Sequence, residues 1–300
     1  IILLTNYRSG STFLGQLFNQ HPDAFYQFEP LYPFSGGCGV QTPLKVALLQ
    51  RLLKCDFPET TDLFAKISGR FRKASTKELC SPKLCPFGQA YRCYGCGPLH
   101  LPRAMNVCRA KKVSVIKVIR LCDVTSLKPL LEDPALDFKV VHLVRDPRGI
   151  ASSRLKISKD WKKVSTDLQM TCSRFLSNAA AGDGLNSGTE WLKQRYMRVR
   201  YEDLSLRPSE VTKQIYKFAE MEYLPSIDDW IAANTRASAT KRNPYSTRRD
   251  SAHTMEAWRT NLNISQVRTI QTDCSRAMNN FGYLKVEGDE QLKNLKVKLI

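Results

Sequence analysis

Five short apolar runs recur along the chain, and runs of this length and composition are typical of strands buried inside a parallel sheet. They occupy residues 1–4, 24–28, 113–119, 138–144 and 196–200. Apolar residues at helical spacing fill residues 13–18, 43–53, 208–219 and 265–281, and Gly282 is expected to end the last of these helices. Strands that alternate with helices predict the α/β class, with a parallel β-sheet of about five strands flanked by helices.

A polar loop with the sequence TNYRSGST, residues 5–12, joins the first strand to the first helix. Gly10 allows a positive φ or a close backbone approach, and Ser11 and Thr12 are good helix N-cap residues. The N terminus of a helix attracts an anion, and the Arg8 guanidinium can grip an oxyanion at two points. The loop lacks the lysine of a Walker A motif. From this loop alone, an anion site and an ordinary turn with a surface arginine are both open.

A second anion-binding signal follows the fourth strand, where the chain reads Arg145-Asp146-Pro147 and then enters a helix. Arg145 lies at the carboxyl end of its strand, the edge at which open α/β sheets bind ligands. Ser153 lies far enough along the helix to face the same ligand. The structural alternatives are a salt bridge from Arg145 to Asp146 and a Ser153 hydroxyl that bonds back to a helix carbonyl.

Charge and cysteine content narrow the class of protein. The 300 residues include 46 Lys and Arg against 28 Asp and Glu, a net charge of +18 that suggests a polyanionic partner. The basic residues are scattered and form no nucleic-acid-binding motif, so a sulfated or uronic-acid glycan is favoured over nucleic acid. The 10 cysteines suit an oxidising compartment. The group Cys80, Cys85, Cys93 and Cys96 fits a disulfide-held segment better than a zinc site.

Residues 55–108 form a Cys/Gly/Pro-rich stretch with an irregular pattern, which we interpret as a disulfide-rich excursion within a single domain over residues 1–300. Asn263 opens a glycosylation acceptor sequence with Ile264 and Ser265. No apolar run is long enough to span a membrane. Because Ile1 already lies in a core strand, we expect a further segment upstream of it.

Several sequence motifs together resemble one enzyme family. Residues 8–12 resemble the 5′-phosphosulfate loop of sulfotransferases, and the LVRDPR segment at 143–148, with Ser153, resembles their 3′-phosphate site. Five further segments are similar to the Golgi carbohydrate 6-O-sulfotransferases: FNQHPD (18–23), FEPLY (28–32), EDP (132–134), RYEDL (200–204) and YST (245–247). The branch that modifies galactose or N-acetylgalactosamine in keratan and chondroitin sulfate looks nearest, and the resemblance spans nearly the whole chain.

This resemblance implies a P-loop-like sulfotransferase fold and a donor, 3′-phosphoadenosine 5′-phosphosulfate (PAPS). No metal is expected, because no convincing acidic cluster or His/Cys site lies beside the loops. The implied donor-binding residues are Arg8, Ser9, Gly10, Ser11, Thr12, Phe13, Arg145, Ser153 and Arg248. The late segment that holds Arg248, Trp258 and Arg259 either closes over the adenine and 3′-phosphate or is a solvated basic loop. The resemblance also implies a lumenal Golgi domain anchored by an upstream membrane helix, as in a single-pass type II membrane protein.

The predicted function is transfer of the sulfuryl group from PAPS to the 6-hydroxyl of galactose, N-acetylgalactosamine or N-acetylglucosamine in an anionic glycan. Arg8 is expected to stabilise the leaving phosphate, and Glu29, just past the second strand, is the expected general base. His142 and His253 are the alternative bases, although His142 lies in an apolar strand where a packed histidine is more usual. The alternative functions are a P-loop nucleotide kinase and a non-catalytic glycosaminoglycan-binding protein.

Overall fold

The structure of the protein is a computed structural model that describes residues 1–34, 37–57, 76–85, 96–97, 99–235 and 251–300. Its strands are β1 (Ile2–Thr5), β2 (Ala24–Phe28), β3 (Val113–Val118), β4 (Val140–Val144) and β5 (Tyr196–Arg200). They form one sheet in the order β2-β3-β1-β4-β5. The predicted α/β class with a parallel, helix-flanked sheet is confirmed. Each strand matches a predicted run, because continuous apolar runs are what a sheet covered on both faces requires.

Helices are numbered here in chain order over the described residues. They are α1 (Ser11–Gln20), α2 (Thr42–Leu53), α3 (Leu101–Arg109), α4 (Pro147–Ser158), α5 (Trp161–Gly182), α6 (Tyr201–Leu206), α7 (Pro208–Phe218), α8 (Pro225–Thr235), α9 (Ser251–Glu256), α10 (Trp258–Asn261), α11 (Ile264–Asp273), α12 (Ser275–Phe281) and α13 (Asp289–Lys293). Short 3₁₀ segments cover Lys77–Cys80, Val124–Glu132 and Glu190–Leu192. Within the described ranges, none of these helices has the length and apolar character that a membrane span requires.

The chain divides into two compact units. The first comprises Ile1–Thr5 and Phe13–Val141, and the second comprises Asn6–Thr12 and His142–Ile300. In the first unit β3 pairs in parallel with both β1 and β2, so that Ile116 aligns with Ile2 on one side and Gln27 on the other. Helix α2 packs against β3 and against the 3₁₀ segment Val124–Glu132. The apolar residues of β1 and β2 are buried as a result.

The core of the second unit lies where α4 and α5 pack against each other and against α11 and α12. Arg148 enters this core and is 0% exposed. Its guanidinium pairs with the Asp146 carboxylate at 2.7 Å, donates to the Leu284 carbonyl at 2.9 Å and lies 4.2 Å from the centre of the Trp258 ring. A buried charge is tolerated only when paired and hydrogen-bonded, and these contacts meet that condition. The second arginine of the RDPR motif is therefore structural.

The prediction of one helix over residues 265–281 is wrong, because two helices occupy this region. Helices α11 and α12 meet at Cys274, which is disulfide-bonded to Cys172 of α5. A tertiary crosslink, which apolar spacing does not encode, coincides with the break. Gly282, with a φ of 74°, ends α12 as predicted. The apolar pattern also failed to indicate α5, which is 22 residues long.

The described residues contain the disulfides Cys38–Cys122, Cys55–Cys108, Cys85–Cys96 and Cys172–Cys274. The disulfide interpretation of the Cys80–Cys96 group is confirmed at Cys85 and Cys96, and zinc ligation by these two is excluded. Cys55–Cys108 joins the two ends of the predicted excursion. Residues 58–75, 86–95 and 98 of this excursion lie outside the described residues. The stretch is not irregular throughout, because α3 occupies its C-terminal part.

A buried carboxylate links the turn after β4 to the C-terminal segment. Glu202 is 2% exposed, and its Oε1 and Oε2 accept hydrogen bonds from the Asp146 amide at 3.0 Å and the Tyr283 hydroxyl at 2.7 Å. Burial raises the pKa of Glu202 to about 7, and the Asp146 carboxylate adds to the effect while the Arg145 guanidinium opposes it. The folded state therefore favours the protonated form.

This raised pKa predicts a pH-dependent stability. Glu202 contributes stability that is fully present below its ordinary pKa of 4.5 and is lost as the pH rises through about 7. Glu202→Gln mimics the protonated acid and removes this loss. We expect its unfolding free energy, relative to wild type, to increase by about 2–3 kcal/mol from about pH 5 to about pH 8. Denaturant unfolding at both values measures it. The control is Glu210→Gln, an exposed glutamate in α7, and equal pH dependence in both variants would contradict the assignment.

Candidate active site

The loop between β1 and α1 has an unusual backbone at two positions. Arg8 has a φ of 70° and Gly10 has a φ of 87°, both in the left-handed region. Arginine rarely adopts this conformation, so surrounding contacts must hold it there. The Ser9 amide donates to the Asn6 carbonyl at 3.2 Å, which closes the turn. Ser9 itself is 0% exposed.

Gly10 is in the loop because an aromatic ring lies against it. A Cβ atom at Gly10 would lie 2.2 Å from Cδ2 of Tyr201, a distance that real Cβ atoms do not show. Tyr201 is the first residue of α6 and is 8% exposed. The glycine therefore serves both uses that the sequence suggested, the positive φ and the close approach, and the approaching group is this ring.

Arg145 contacts the same ring from another direction. Its guanidinium carbon lies 4.3 Å from the centre of the Tyr201 ring, and Nη1 donates to the Arg8 carbonyl at 3.0 Å. A Cβ atom at Gly149 would lie 3.0 Å from Arg145 Nε, so this glycine leaves room for the side chain. The alternative of a salt bridge to Asp146 is wrong, because Asp146 pairs with Arg148 instead.

Two more contacts hold the loop. Arg8 Nε donates to the Ser153 hydroxyl at 3.0 Å, which joins the two predicted phosphate sites directly. The Ser153 hydroxyl accepts from Arg8, and within the described part of the chain it makes no hydrogen bond back to a helix carbonyl. Arg154, next along α4, donates from Nη2 to the Tyr7 carbonyl at 3.2 Å and to the Thr171 hydroxyl at 3.0 Å.

Two buried polar atoms in this region lack hydrogen-bond partners within the described residues. They are the Ser9 hydroxyl and Arg145 Nε. A buried polar atom without a partner costs about 1–3 kcal/mol, so such atoms are uncommon outside functional sites. One is a hydroxyl and the other a cationic N–H, and both can donate to an oxyanion. The residues present thus fit a phosphate or sulfate group.

Glu29 belongs to the first unit and has cationic partners. Its backbone is left-handed, with a φ of 48°. Lys117 Nζ lies 2.8 Å from Oε1, and Arg120 Nη1 lies 3.1 Å from Oε2. The Glu29 side chain is 15% exposed, so it is not the solvated turn residue that glutamates after strands usually are. Each carboxylate oxygen retains a further lone pair, so the group can still accept a hydrogen bond or proton.

The two histidines considered as alternative bases differ in burial. His142 is 0% exposed, its Nδ1 lies 2.6 Å from the Tyr196 hydroxyl, and burial lowers its pKa to about 3. The interpretation of His142 as a packed histidine is therefore confirmed. His253, the other alternative base, lies in helix α9, and its side chain is exposed.

Other predicted donor contacts have different outcomes. Arg248 lies outside the described residues. Phe13 belongs to the first unit and is 9% exposed. Trp258 and Arg259 are buried, and Arg259 donates to backbone carbonyls of the C-terminal segment, including that of Leu292 at 3.0 Å. A solvated basic loop is therefore wrong for this pair, and so is a lid over adenine.

Sequence reasoning did not single out Tyr201, Arg154, Lys117 or Arg120. The RYEDL motif carried Tyr201, but nothing in its spacing indicates that the ring reaches Gly10. In the described ranges, no group of His, Cys, Asp or Glu side chains is arranged to hold a metal ion.

Comparisons with known proteins identify the family. The sulfotransferase domain family matches residues 1–282. Carbohydrate sulfotransferase 1 of Danio rerio is 36% identical over 100% of this chain and 81% of its own, and carbohydrate sulfotransferase 3 of Rattus norvegicus is 32% identical over 100% and 71%. In fold, the chain resembles the sulfotransferase domain of the Synechococcus PCC 7002 olefin synthase, with a TM-score of 0.53, 18% identity and 94% coverage of both chains. The chain belongs to the sulfotransferase family and, within it, to the carbohydrate sulfotransferases.

Proposed function

We propose that this protein transfers a sulfuryl group from PAPS to the 6-hydroxyl of galactose or N-acetylgalactosamine in keratan- or chondroitin-type glycans. The observation that carries the proposal is the arrangement of the second unit, in which Arg145 and Ser153 are each hydrogen-bonded to Arg8. Residues 1–300 then act as the catalytic domain. The disulfides support a lumenal location, since they persist in oxidising compartments, and we infer a Golgi membrane protein of type II orientation.

The donor supplies an activated sulfuryl group and a phosphate leaving group. The residues of the loop are suited to stabilising the leaving phosphate. Arg8 and the N terminus of α1 offer positive charge where the leaving phosphate oxygen gains negative charge. Ser9 Oγ and Arg145 Nε offer donors that no described protein group uses. We assign Arg145 and Ser153 to the 3′-phosphate. Because Arg145 also bonds the Arg8 carbonyl, a group bound by Arg145 is coupled to the loop conformation.

Glu29 is the general base in this proposal. A base must accept the proton of the sugar hydroxyl as the new sulfur–oxygen bond forms. The ion pairs to Lys117 and Arg120 hold the carboxylate in one position, which favours a defined approach to the hydroxyl. His142 is unsuited to the role, because it is fully buried and its pKa is lowered to about 3.

Incubation with labelled PAPS and a panel of desulfated glycans tests the function. We expect label on the 6-hydroxyl of galactose or N-acetylgalactosamine, at rates that fall when the same sugars are presented as monosaccharides. Position-specific analysis of the labelled sugar is the measurement. Label at another hydroxyl would reject the 6-O assignment alone. Glycan binding without any transfer would favour a non-catalytic glycosaminoglycan-binding protein.

Substitution of Gly10 tests the donor loop. In Gly10→Ala the new methyl group overlaps the Tyr201 ring, so the loop or the ring must move. We expect the affinity for adenosine 3′,5′-bisphosphate, measured by calorimetry, to fall about tenfold or more, equivalent to about 1.4 kcal/mol. Gly188→Ala is a matched control: Gly188 also has a positive φ, of 77°, but its Cβ would meet nothing within 4 Å. Similar affinities in the two variants would remove Gly10 from the donor site.

Substitution of Glu29 tests the base. Glu29→Gln keeps the shape of the side chain but removes its basic oxygen, so we expect kcat to fall by about 10²–10⁴-fold with the donor affinity nearly unchanged. Because Lys117 loses its anionic partner, kcat is normalised to the fraction of protein that binds the bisphosphate. His142→Gln is the control, and its main effect should be on stability. Near-normal kcat in Glu29→Gln would reassign the base.

A further inference from the structure

A group of cations surrounds Glu29 in the first unit. Lys117 is part of β3, and Arg120 follows that strand closely in the chain. Both donate to the Glu29 carboxylate, at 2.8 Å and 3.1 Å. A single carboxylate is therefore shared by two cations.

Lys45 of α2 adds a third positive charge to this group. It is 0% exposed, and its Nζ donates to the carbonyls of Gly37 and Cys38 at 2.8 Å and 3.0 Å. Burial lowers the pKa of Lys45, and the Arg120 guanidinium lowers it further, because like charges disfavour each other. The Lys45 ammonium donates to carbonyls, which carry no net charge. Positive charge therefore exceeds the Glu29 charge at this place, and the excess favours an anion.

Arg120 is the cation of this group that solvent can reach. Its side chain is 28% exposed, whereas that of Lys117 is 3% exposed. Among the described residues, its guanidinium makes one hydrogen bond, to Glu29, and lies 4.8 Å from the centre of the Tyr32 ring. A guanidinium carries five N–H donors in a planar fork that matches a carboxylate or sulfate. Tyr32 is itself 53% exposed, so an accessible aromatic ring lies beside the Arg120 guanidinium.

The segments that carry these residues are fixed to one another. The disulfide Cys38–Cys122 joins the chain before α2 to the chain just after Arg120. The Tyr32 amide donates to the Glu29 carbonyl at 3.0 Å, which fixes the backbone of Tyr32 relative to that of Glu29. Lys45 is bonded to the carbonyl of Cys38, one end of that disulfide. A preorganised site of this kind loses little entropy when it binds a ligand.

We propose that Arg120, supported by Tyr32 and by the charges of Lys45 and Lys117, is a subsite for an oxyanion on the acceptor glycan. The bound group is the carboxylate of a uronic acid or a sulfate ester already present, on a sugar neighbouring the one that reacts. This inference rests on the proposed function, since Glu29 is the assigned base and Arg120 is bonded to it. It makes Arg120 a determinant of acceptor specificity.

Direct glycan binding tests the subsite without relying on catalysis. The probes are an unsulfated hexasaccharide that contains uronic acid, its carboxyl-reduced form, and a sulfated hexasaccharide that lacks uronic acid. We expect Arg120→Gln to weaken binding of at least one anionic probe about tenfold or more and to leave binding of the carboxyl-reduced probe within about twofold. The probe that loses affinity identifies the group as carboxylate or sulfate ester. Arg120→Lys keeps the charge without the fork and should lie between wild type and Arg120→Gln.

Arg109→Gln is the matched control, because Arg109 is an exposed arginine of the same unit and the variant loses the same charge. If Arg109→Gln and Arg120→Gln weaken the anionic probes equally, the effect is one of net charge and the subsite is overturned. Equal weakening of the neutral and anionic probes overturns it as well. Failure of the proposed function is a separate outcome. If the wild-type protein binds these probes through Arg120 but transfers no sulfate, the subsite is retained and the proposed enzyme activity is rejected.

Discussion

The contact of the Tyr201 ring with Gly10 and Arg145 is the constraint on which the loop between β1 and α1, the proposed donor site, depends. The ring leaves no space for a Cβ at Gly10, and it lies 4.3 Å from the Arg145 guanidinium carbon. Arg145 in turn donates to the carbonyl of Arg8, whose left-handed backbone needs such support. A cation stacked on an aromatic ring contributes about 0.5–2 kcal/mol, and its geometry is fixed by the ring. The strained loop is therefore held by α6, an element far from it in the chain.

Buried polar and ionisable groups then fix α6 and α4 to the rest of the second unit. Glu202, next to Tyr201, accepts from the Asp146 amide and from Tyr283, while Arg148 pairs with Asp146. The residues that directly follow Tyr201 and Arg145 are thus anchored in a core. Hydrogen bonds to charged groups contribute about 1.5–3 kcal/mol each, and leaving one of these groups unpaired costs more. Such a network positions two side chains more tightly than an exposed loop can.

The sequence predicted the features that depend on neighbouring residues. It did not predict those that depend on residues distant in the chain. Apolar runs located all five strands, and the glycine and Asp-Pro signals located the loops around Gly10 and Arg145. The break at Cys274 and the wedge of Tyr201 depend on partners that are distant in the chain, Cys172 and Gly10. The sequence also did not predict that Arg148 and Arg259 are buried. An arginine in or near a motif is interpreted as contacting a ligand unless its partners in the core are known. The cations around Glu29 come from α2, from β3 and from the residues that follow β3, so no single motif brings them together.

The central claim is that the second unit binds a nucleotide with a 3′-phosphate through Arg145 and the Arg8 loop. Titration calorimetry of the wild-type protein with adenosine 3′,5′-bisphosphate and with adenosine 5′-monophosphate tests it most directly, because the two ligands differ only in that phosphate. One charge-assisted hydrogen bond contributes about 1.5–3 kcal/mol, so we predict that the bisphosphate binds at least about tenfold more tightly. Equal affinities, or no binding of either nucleotide, would contradict the account.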